Sequence, residues 1–249
     1  MVNVVCVKYG TKYNSSHVNR LYRMVEKNLS LPFSFYCMTD DSENINKQIK
    51  IIPLNLDLEL ESFWYKVTMF DNSIYGNNDL TLYLDLDTII QNPIDDLFND
   101  PSLPLRIVYT GSIKVEDEST LFGKWQGNVN SSIMLFRPSR VQHISEHFLE
   151  DPDFYILEYQ GVCRYLWNVF EKDLEYFKII EDFYPVLNKS QEFIDIEDHE
   201  RWLVDIGLKY KNGRLGSYFV PHSKIAMLNG CSQHGVLNKV LEFFSSYYE

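Results

Sequence analysis

Residues 80–92, LTLYLDLDTIIQN, constrain this chain more than any other segment. A run of apolar β-formers carries Asp85 and Asp87, one residue apart, to a strand end, and Asn92-Pro93 supplies the turn that follows. Side chains alternate faces along a strand with period two, so the spacing predicts that both carboxylates point one way while Leu86 points into the core. Two like charges at one strand end need compensation. A divalent cation, Mn2+ or Mg2+, held against a nucleotide diphosphate would provide it.

The tripeptide alone proves little, because eighteen aspartates in 249 residues should give a D-x-D about once by chance. A second copy, Asp151-Pro152-Asp153, has a proline and a polar approach. It predicts a turn or helix start with Asp153 as candidate cap. For Asp85 and Asp87 the plainer alternative, carboxylates that cap or close a turn, stays open at this level.

With 45% hydrophobic residues the chain can bury a large core, and it fits one α/β domain or two small lobes sharing a sheet. A single domain over 1–249 is expected. The formal charge of −12 repels nucleic-acid backbone and anionic lipid, so an anionic substrate needs a bound cation and a few placed lysines. Cys6, Cys37, Cys163 and Cys231 show no C-x-x-C and no zinc spacing and read as reduced, buried thiols. No 18-residue apolar stretch and no leader signature occur, so a soluble cytoplasmic protein without a transmembrane segment or nucleic-acid partner is expected. Aromatics make up 15% of the chain, which suits a stacking surface and a filled core equally.

Residues 3–8 read as a parallel strand covered on both faces, closed by Gly10 and Asn14. A helix follows, with Ser15 or Ser16 as cap and Val18, Leu21, Tyr22, Val25 and Leu29 as its apolar stripe. Strands are predicted at 33–38, 49–52, 80–86, 105–109, 131–137, 218–220 and 225–228, and helices at 63–70, 141–149, 160–170 and 236–247, with a helical turn at 93–98. This order gives an α/β class with a mixed, mostly parallel central sheet. In such sheets ligands bind beyond the carboxyl ends of the strands, where residues 9–13, Asp40-Asp41 and the 85–87 segment fall.

The motifs VKYGTKY at 7–13, MTDD at 38–41, WYK at 64–66, YLDLDTII at 83–90, VNSSIMLFRPS at 129–139, EYQG at 158–161 and KIAMLNG at 224–230 together resemble one family. It is that of the retaining A-type-fold glycosyltransferases related to glycogenin and the lipopolysaccharide galactosyltransferases. The resemblance covers nearly the full length and is strongest up to Ser139. It implies a Rossmann-like nucleotide-diphospho-sugar transferase (GT-A) fold, with a nucleotide-binding half over 1–92 and an acceptor-side half over 93–249. It also implies metal-dependent transfer of a hexose from a UDP-sugar to a glycan, lipid-linked or protein hydroxyl, with retention.

By the same resemblance, nucleotide and donor contacts fall to Val7, Tyr9, Gly10, Thr11, Tyr13, Asp40, Lys66, Asp85, Leu86 and Ser131. Tyr13 would stack on uracil, against the alternative of a core or surface tyrosine. Asp40 would accept the imide N–H, against a turn aspartate, and Lys66 would face the donor phosphates, against a solvated helix lysine. Catalytic roles would fall to Gln160, Asn130 and Asp87. The metal ligands would be Asp85, Asp87 and Asn229, with His234 or water as alternatives to Asn229. Departures are Ser132 where the family has glycine, Tyr159 where it has aspartate beside Glu158, and Met227 where it has a histidine. The acidic stretch 192–200 reads as a solvated loop. The alternatives are an impaired carbohydrate-binding module and a sugar-1-phosphate nucleotidylyltransferase, whose Gly-rich loop after the first strand is missing from YGTKYNSS.

Overall fold

The uninterrupted apolar runs become the middle of a sheet. The computed structural model describes residues 1–109, 114–115, 125–126, 129–178, 181–188, 202–203, 216–228, 231, 235 and 237–248. The chain divides into two compact units: Met1–Asn19, Leu31–Leu86 and Phe98–Phe177 form one, and Arg20–Ser30, Asp87–Leu97 and Lys178–Glu249 the other.

The first unit is built on a seven-stranded sheet. Strands β1 (Val2–Lys8), β2 (Phe33–Thr39), β3 (Lys50–Pro53) and β4 (Thr81–Leu84) lie in the order β4-β1-β2-β3, all parallel. Beyond β4 come Val129–Phe136, Leu105–Tyr109 and Leu174–Tyr176, with Val129–Phe136 antiparallel to both its neighbours. The mixed, mostly parallel sheet is therefore as expected. β1 is buried along almost its whole length, which is why it reads as a continuous apolar run rather than an alternating one.

On one face of this sheet, the helix expected over 63–70 takes the form of a long 3-10 helix, Ser62–Phe70. Trp64, Tyr65, Val67, Met69 and Phe70 are all buried there. Apolar residues at nearly consecutive positions carry no phase that separates one helix type from another, and packing decides. Trp64 stacks on Phe148, ring centroids 5.3 Å apart and nearly parallel at 8°. Phe148 belongs to α2 (Pro138–Glu150), which α3 (Pro152–Tyr159) and α4 (Val162–Phe170) follow. Much of the aromatic content fills the core, since Trp64, Tyr65, Tyr83, Tyr165 and Phe148 are fully buried.

Several local expectations change. The strand predicted over 80–86 stops at Leu84, and Thr88–Ile90 is a separate strand, so strand alternation ends short of Asp85 and Asp87. Helix α1 (Ser15–Asn28) has Asn14, not a serine, accepting the Ser16 amide at 3.1 Å. At α3 it is Asp151, not Asp153, that caps, accepting from the Phe154 amide at 3.1 Å. The helix predicted over 160–170 begins at Val162 instead. Cys163 is half-buried, unlike the other three thiols, and all four are free.

In the second unit, Phe183–Pro185, Ile225–Met227 and Thr88–Ile90 form a three-stranded sheet, parallel then antiparallel. Lys224 holds it to its surroundings, its ammonium 2.6 Å from Asp182 Oδ1 and 3.2 Å from Asp96 Oδ2. The closing helix is α5 (Leu237–Phe243) with a 3-10 turn at Ser245–Tyr247. Gly127, Asn229, Gly230, His234 and the acidic stretch 192–200 lie outside the described residues. Among the described residues no helix is long and apolar enough to cross a membrane.

At the edge of the large sheet, Glu175 Oε2 accepts from the amide and hydroxyl of Ser102, both at 2.6 Å, and Oε1 pairs with Arg106 at 2.6 Å and 2.8 Å. Burial pushes the carboxyl up. The Ser102 and Arg106 hydrogen bonds, with the Leu103 amide, outweigh it and hold the acid at about 2. A lowered folded value means stabilisation that is full above the ordinary carboxyl range and lost as pH falls toward 2. Glu175→Gln should therefore cost about 2 to 3 kcal/mol at pH 7. In urea titrations across pH, the two proteins should converge as pH approaches 2.

Candidate functional site

Lys66 projects from the 3-10 helix Ser62–Phe70 into the core, where its partners rather than solvent receive its ammonium. Its side chain is 8% exposed, which removes the solvated-lysine alternative. The ammonium lies 2.8 Å from Asp85 Oδ1 and donates to the Ser131 carbonyl at 3.2 Å and the Ser131 hydroxyl at 3.4 Å. It also sits 4.9 Å from the centroid of the Tyr83 ring. The Tyr83 hydroxyl donates to the same Asp85 oxygen. The Asp85 amide donates to the Ser132 carbonyl at 2.9 Å.

Asp85 thus stands just past β4 as a carboxylate that is 24% exposed and held from behind. Burial pushes its acid up, but the Lys66 ammonium and hydrogen bonds from Lys66, Tyr83 and Ser132 prevail and keep it below the ordinary range. It remains an anion at neutral pH. The pair Lys66–Asp85, with Ser131, is the part of the expected constellation that the structure brings together most tightly.

The ends of β1 and β2 form a second group. Gly10 has φ of 63°, a conformation that costs glycine nothing, and its amide donates to Asp40 Oδ2 at 2.9 Å. Lys8, which sequence reading passed over, is buried there, 3.7 Å from Asp40 Oδ1 and 3.6 Å from Asp41 Oδ2. The signal was a lysine ending an otherwise apolar strand. Val7 is half-buried and Thr11 exposed. The Tyr9 ring packs 4.7 Å from that of Tyr65. Tyr13 has the Lys12 ammonium 4.8 Å from its ring centre and His17 at 5.2 Å.

Of the residues expected to be catalytic, Asn130 uses its side-chain oxygen on the Ser132 amide at 2.8 Å, fixing its own strand. The Ser131 amide and hydroxyl meet Cys163 Sγ at 3.4 Å and 3.3 Å. Ser132, replacing the family's glycine, is 3% exposed. Gln160 is exposed, ends α3 in the left-handed conformation with φ of 51°, and accepts from Arg164 at 3.4 Å. A glutamine there carries backbone strain that glycine would avoid.

In the second unit, the Asp87 carbonyl accepts from the Leu228 amide at 2.8 Å, and its side chain is half-buried. Leu86, in the first unit, is buried as expected. Met227 is 2% exposed in strand Ile225–Met227, opposite Thr88, so the residue at the family's histidine position is a core residue. Among the described residues no three His, Cys, Asp or Glu side chains form a group that could hold a metal ion. The donor chemistry nevertheless suits one, since Asp85 is kept ionised, is reachable, and offers the hard oxygen that Mg2+ and Mn2+ take.

No protein-family profile matches this sequence. No curated protein matches it either. Solved structures do. The galactosyltransferase LgtC, in complex with donor and acceptor sugar analogues, superposes at a TM-score of 0.56 with 11% identity, over 98% of this chain and 96% of that one. An active-site mutant of LgtC gives 0.59 with 11% identity over 99% and 95%. The glycosyltransferase GlyE of Streptococcus pneumoniae TIGR4 gives 0.51 with 12% identity over 72% of this chain. That match spans 45% of GlyE, less than half its length. At these identities the likeness is one of fold.

Removing one partner of a buried ion pair strands the other charge, which costs about 3 to 5 kcal/mol, whereas removing both costs far less. Lys66→Met should therefore destabilise the protein more than Lys66→Met/Asp85→Asn. Denaturant midpoints of the two single variants and the double variant test this, and additive losses would contradict it.

Proposed function

From the A-type glycosyltransferase fold that this chain shares with LgtC, we propose that it transfers a hexose from a UDP-sugar to a hydroxyl acceptor, with divalent-cation dependence and retention of anomeric configuration. The observation that carries this is Asp85, an anion held by Lys66, Tyr83 and Ser132 at the carboxyl end of β4 and still partly exposed. Ligands of open α/β sheets lie at this edge, and the β1–β2 end with Gly10 and Asp40 belongs to the same edge.

Asp85 and Asp87, one residue apart in the chain, would hold the cation, with Asn229 completing the set. When bound, that ion would neutralise the charge growing on the UDP leaving group. Lys66 would both keep Asp85 ionised and present positive charge to the phosphates, which a chain of −12 needs locally. Tyr13 would stack on the base, Asp40 would accept its imide N–H, and backbone around Val7, Tyr9, Gly10, Thr11 and Leu86 would line the nucleotide. Ser131 and Asn130 would approach the donor sugar, and Gln160 the anomeric carbon. A strained exposed glutamine is what such a role would retain, because a cap alone would favour glycine.

One observation favours a second reading, a carbohydrate-binding module that has lost turnover: the buried Met227 in place of a metal-binding histidine. Hydrolysis of a UDP-sugar without acceptor separates the two, since only the enzyme releases UDP.

Calorimetry should show UDP binding that needs manganese and disappears with EDTA. The variant Asp87→Asn, which leaves the Lys66–Asp85 pair intact, should fold and lose about a hundredfold of metal-dependent affinity. Unchanged manganese-dependent UDP binding in that variant would overturn the proposal. Separately, Gln160→Gly should raise stability by about 1 kcal/mol while lowering turnover, whereas loss of both would make Gln160 a fold residue.

A further inference from the structure

Lys8 is a lysine buried without a closed hydrogen bond. It ends β1 beside Thr39 of β2 in the parallel register, and its side chain is 4% exposed. Its ammonium faces Asp40 Oδ1 at 3.7 Å and Asp41 Oδ2 at 3.6 Å, close enough for charge compensation and too far for a good hydrogen bond. The backbone sets this spacing. Asp40 is pinned through its other oxygen by the Gly10 amide at 2.9 Å, and Asp41 through its other oxygen by the Glu43 amide at 2.8 Å. A tight turn in which Thr39 bonds the Asp41 amide and carbonyl fixes the two carboxylates further.

An ammonium with three donors, taken out of water, ordinarily closes its hydrogen bonds. Here a donor and a carboxylate acceptor are instead held side by side at the carboxyl ends of adjacent strands, five residues before Tyr13. That arrangement matches the edge of a ring bearing a carbonyl next to an N–H.

We propose that Lys8 and Asp40 select the base of the donor nucleotide: the Lys8 ammonium donates to a ring carbonyl while Asp40 Oδ1 accepts the neighbouring imide N–H. Uracil and guanine present that pattern. Cytosine and adenine present an amino group beside a bare ring nitrogen, which would set donor against donor and acceptor against acceptor. The inference rests on the nucleotide-sugar reading and deepens it by naming what discriminates the base. Asp41 serves as the second carboxylate facing the Lys8 ammonium.

The test is calorimetry of UDP, GDP, CDP and ADP with manganese on the full chain, on Lys8→Met and on Lys8→Arg. The parent should bind UDP or GDP at least tenfold tighter than CDP and ADP, and whichever of the first two is tighter identifies the base. Lys8→Met should lose about tenfold to a hundredfold for the keto bases while CDP and ADP change little, so the ratio falls toward one. Lys8→Arg, which keeps a donor, should retain preference for the keto bases. Lys8→Met/Asp41→Asn removes one of the carboxylates left without a counter-charge and gives the same reading if the single variant does not fold. An unchanged ratio in Lys8→Met would overturn the inference and leave Lys8 a structural counter-ion. Absence of any nucleoside diphosphate binding by the parent would overturn the nucleotide-sugar reading itself.

Discussion

A single ammonium ties together the part of this protein on which its chemistry depends. Lys66 reaches from the Ser62–Phe70 helix to the Ser131 carbonyl and hydroxyl on one strand and to the Asp85 carboxylate beyond the neighbouring strand. Burying a charged pair is costly, and it stabilises only when geometry is good and remaining polar capacity is satisfied. The Tyr83 hydroxyl and Ser131 meet that condition. The result is an anion at a sheet edge whose position is set by packing on three elements, so its placement is a property of the core as much as of the site.

This explains the aromatic richness around it. Trp64 and Tyr65 immediately precede Lys66, and both are fully buried, Trp64 against Phe148 of α2. The same construction recurs more loosely at β1, where Lys8 emerges from a buried strand toward Asp40 and Asp41. Two buried lysines thus offset part of the negative charge that Asp85, Asp40 and Asp41 bring to this edge of the sheet.

Much of this was legible in the sequence where a signal is local. β1 and β2 announced themselves as predominantly apolar runs, α1 by its stripe from Val18 to Leu29, and Asp85 by ending such a run before a turn. The Asp85–Lys66 pairing was not legible, because eighteen residues separate the partners and only packing brings them together. Nor was Lys8, since a basic residue at a strand end usually reaches solvent. The helix at Ser62–Phe70 hid its 3-10 character because its apolar residues are nearly consecutive and show no clear phase. Gln160 was read as helical when α3 in fact ends on it in a left-handed conformation, a choice made by the chain path into Gly161 and α4 rather than by glutamine's own preference.

The most direct test of the central claim is a crystal structure of the protein grown with UDP and manganese, with anomalous scattering collected to locate the metal. The account predicts one strong manganese peak bound by an Asp85 oxygen and by Asp87, touching both phosphates of UDP, with Lys66 still beside Asp85. UDP bound away from the carboxyl ends of β1, β2 and β4, or manganese bound with no contact to Asp85, would contradict it.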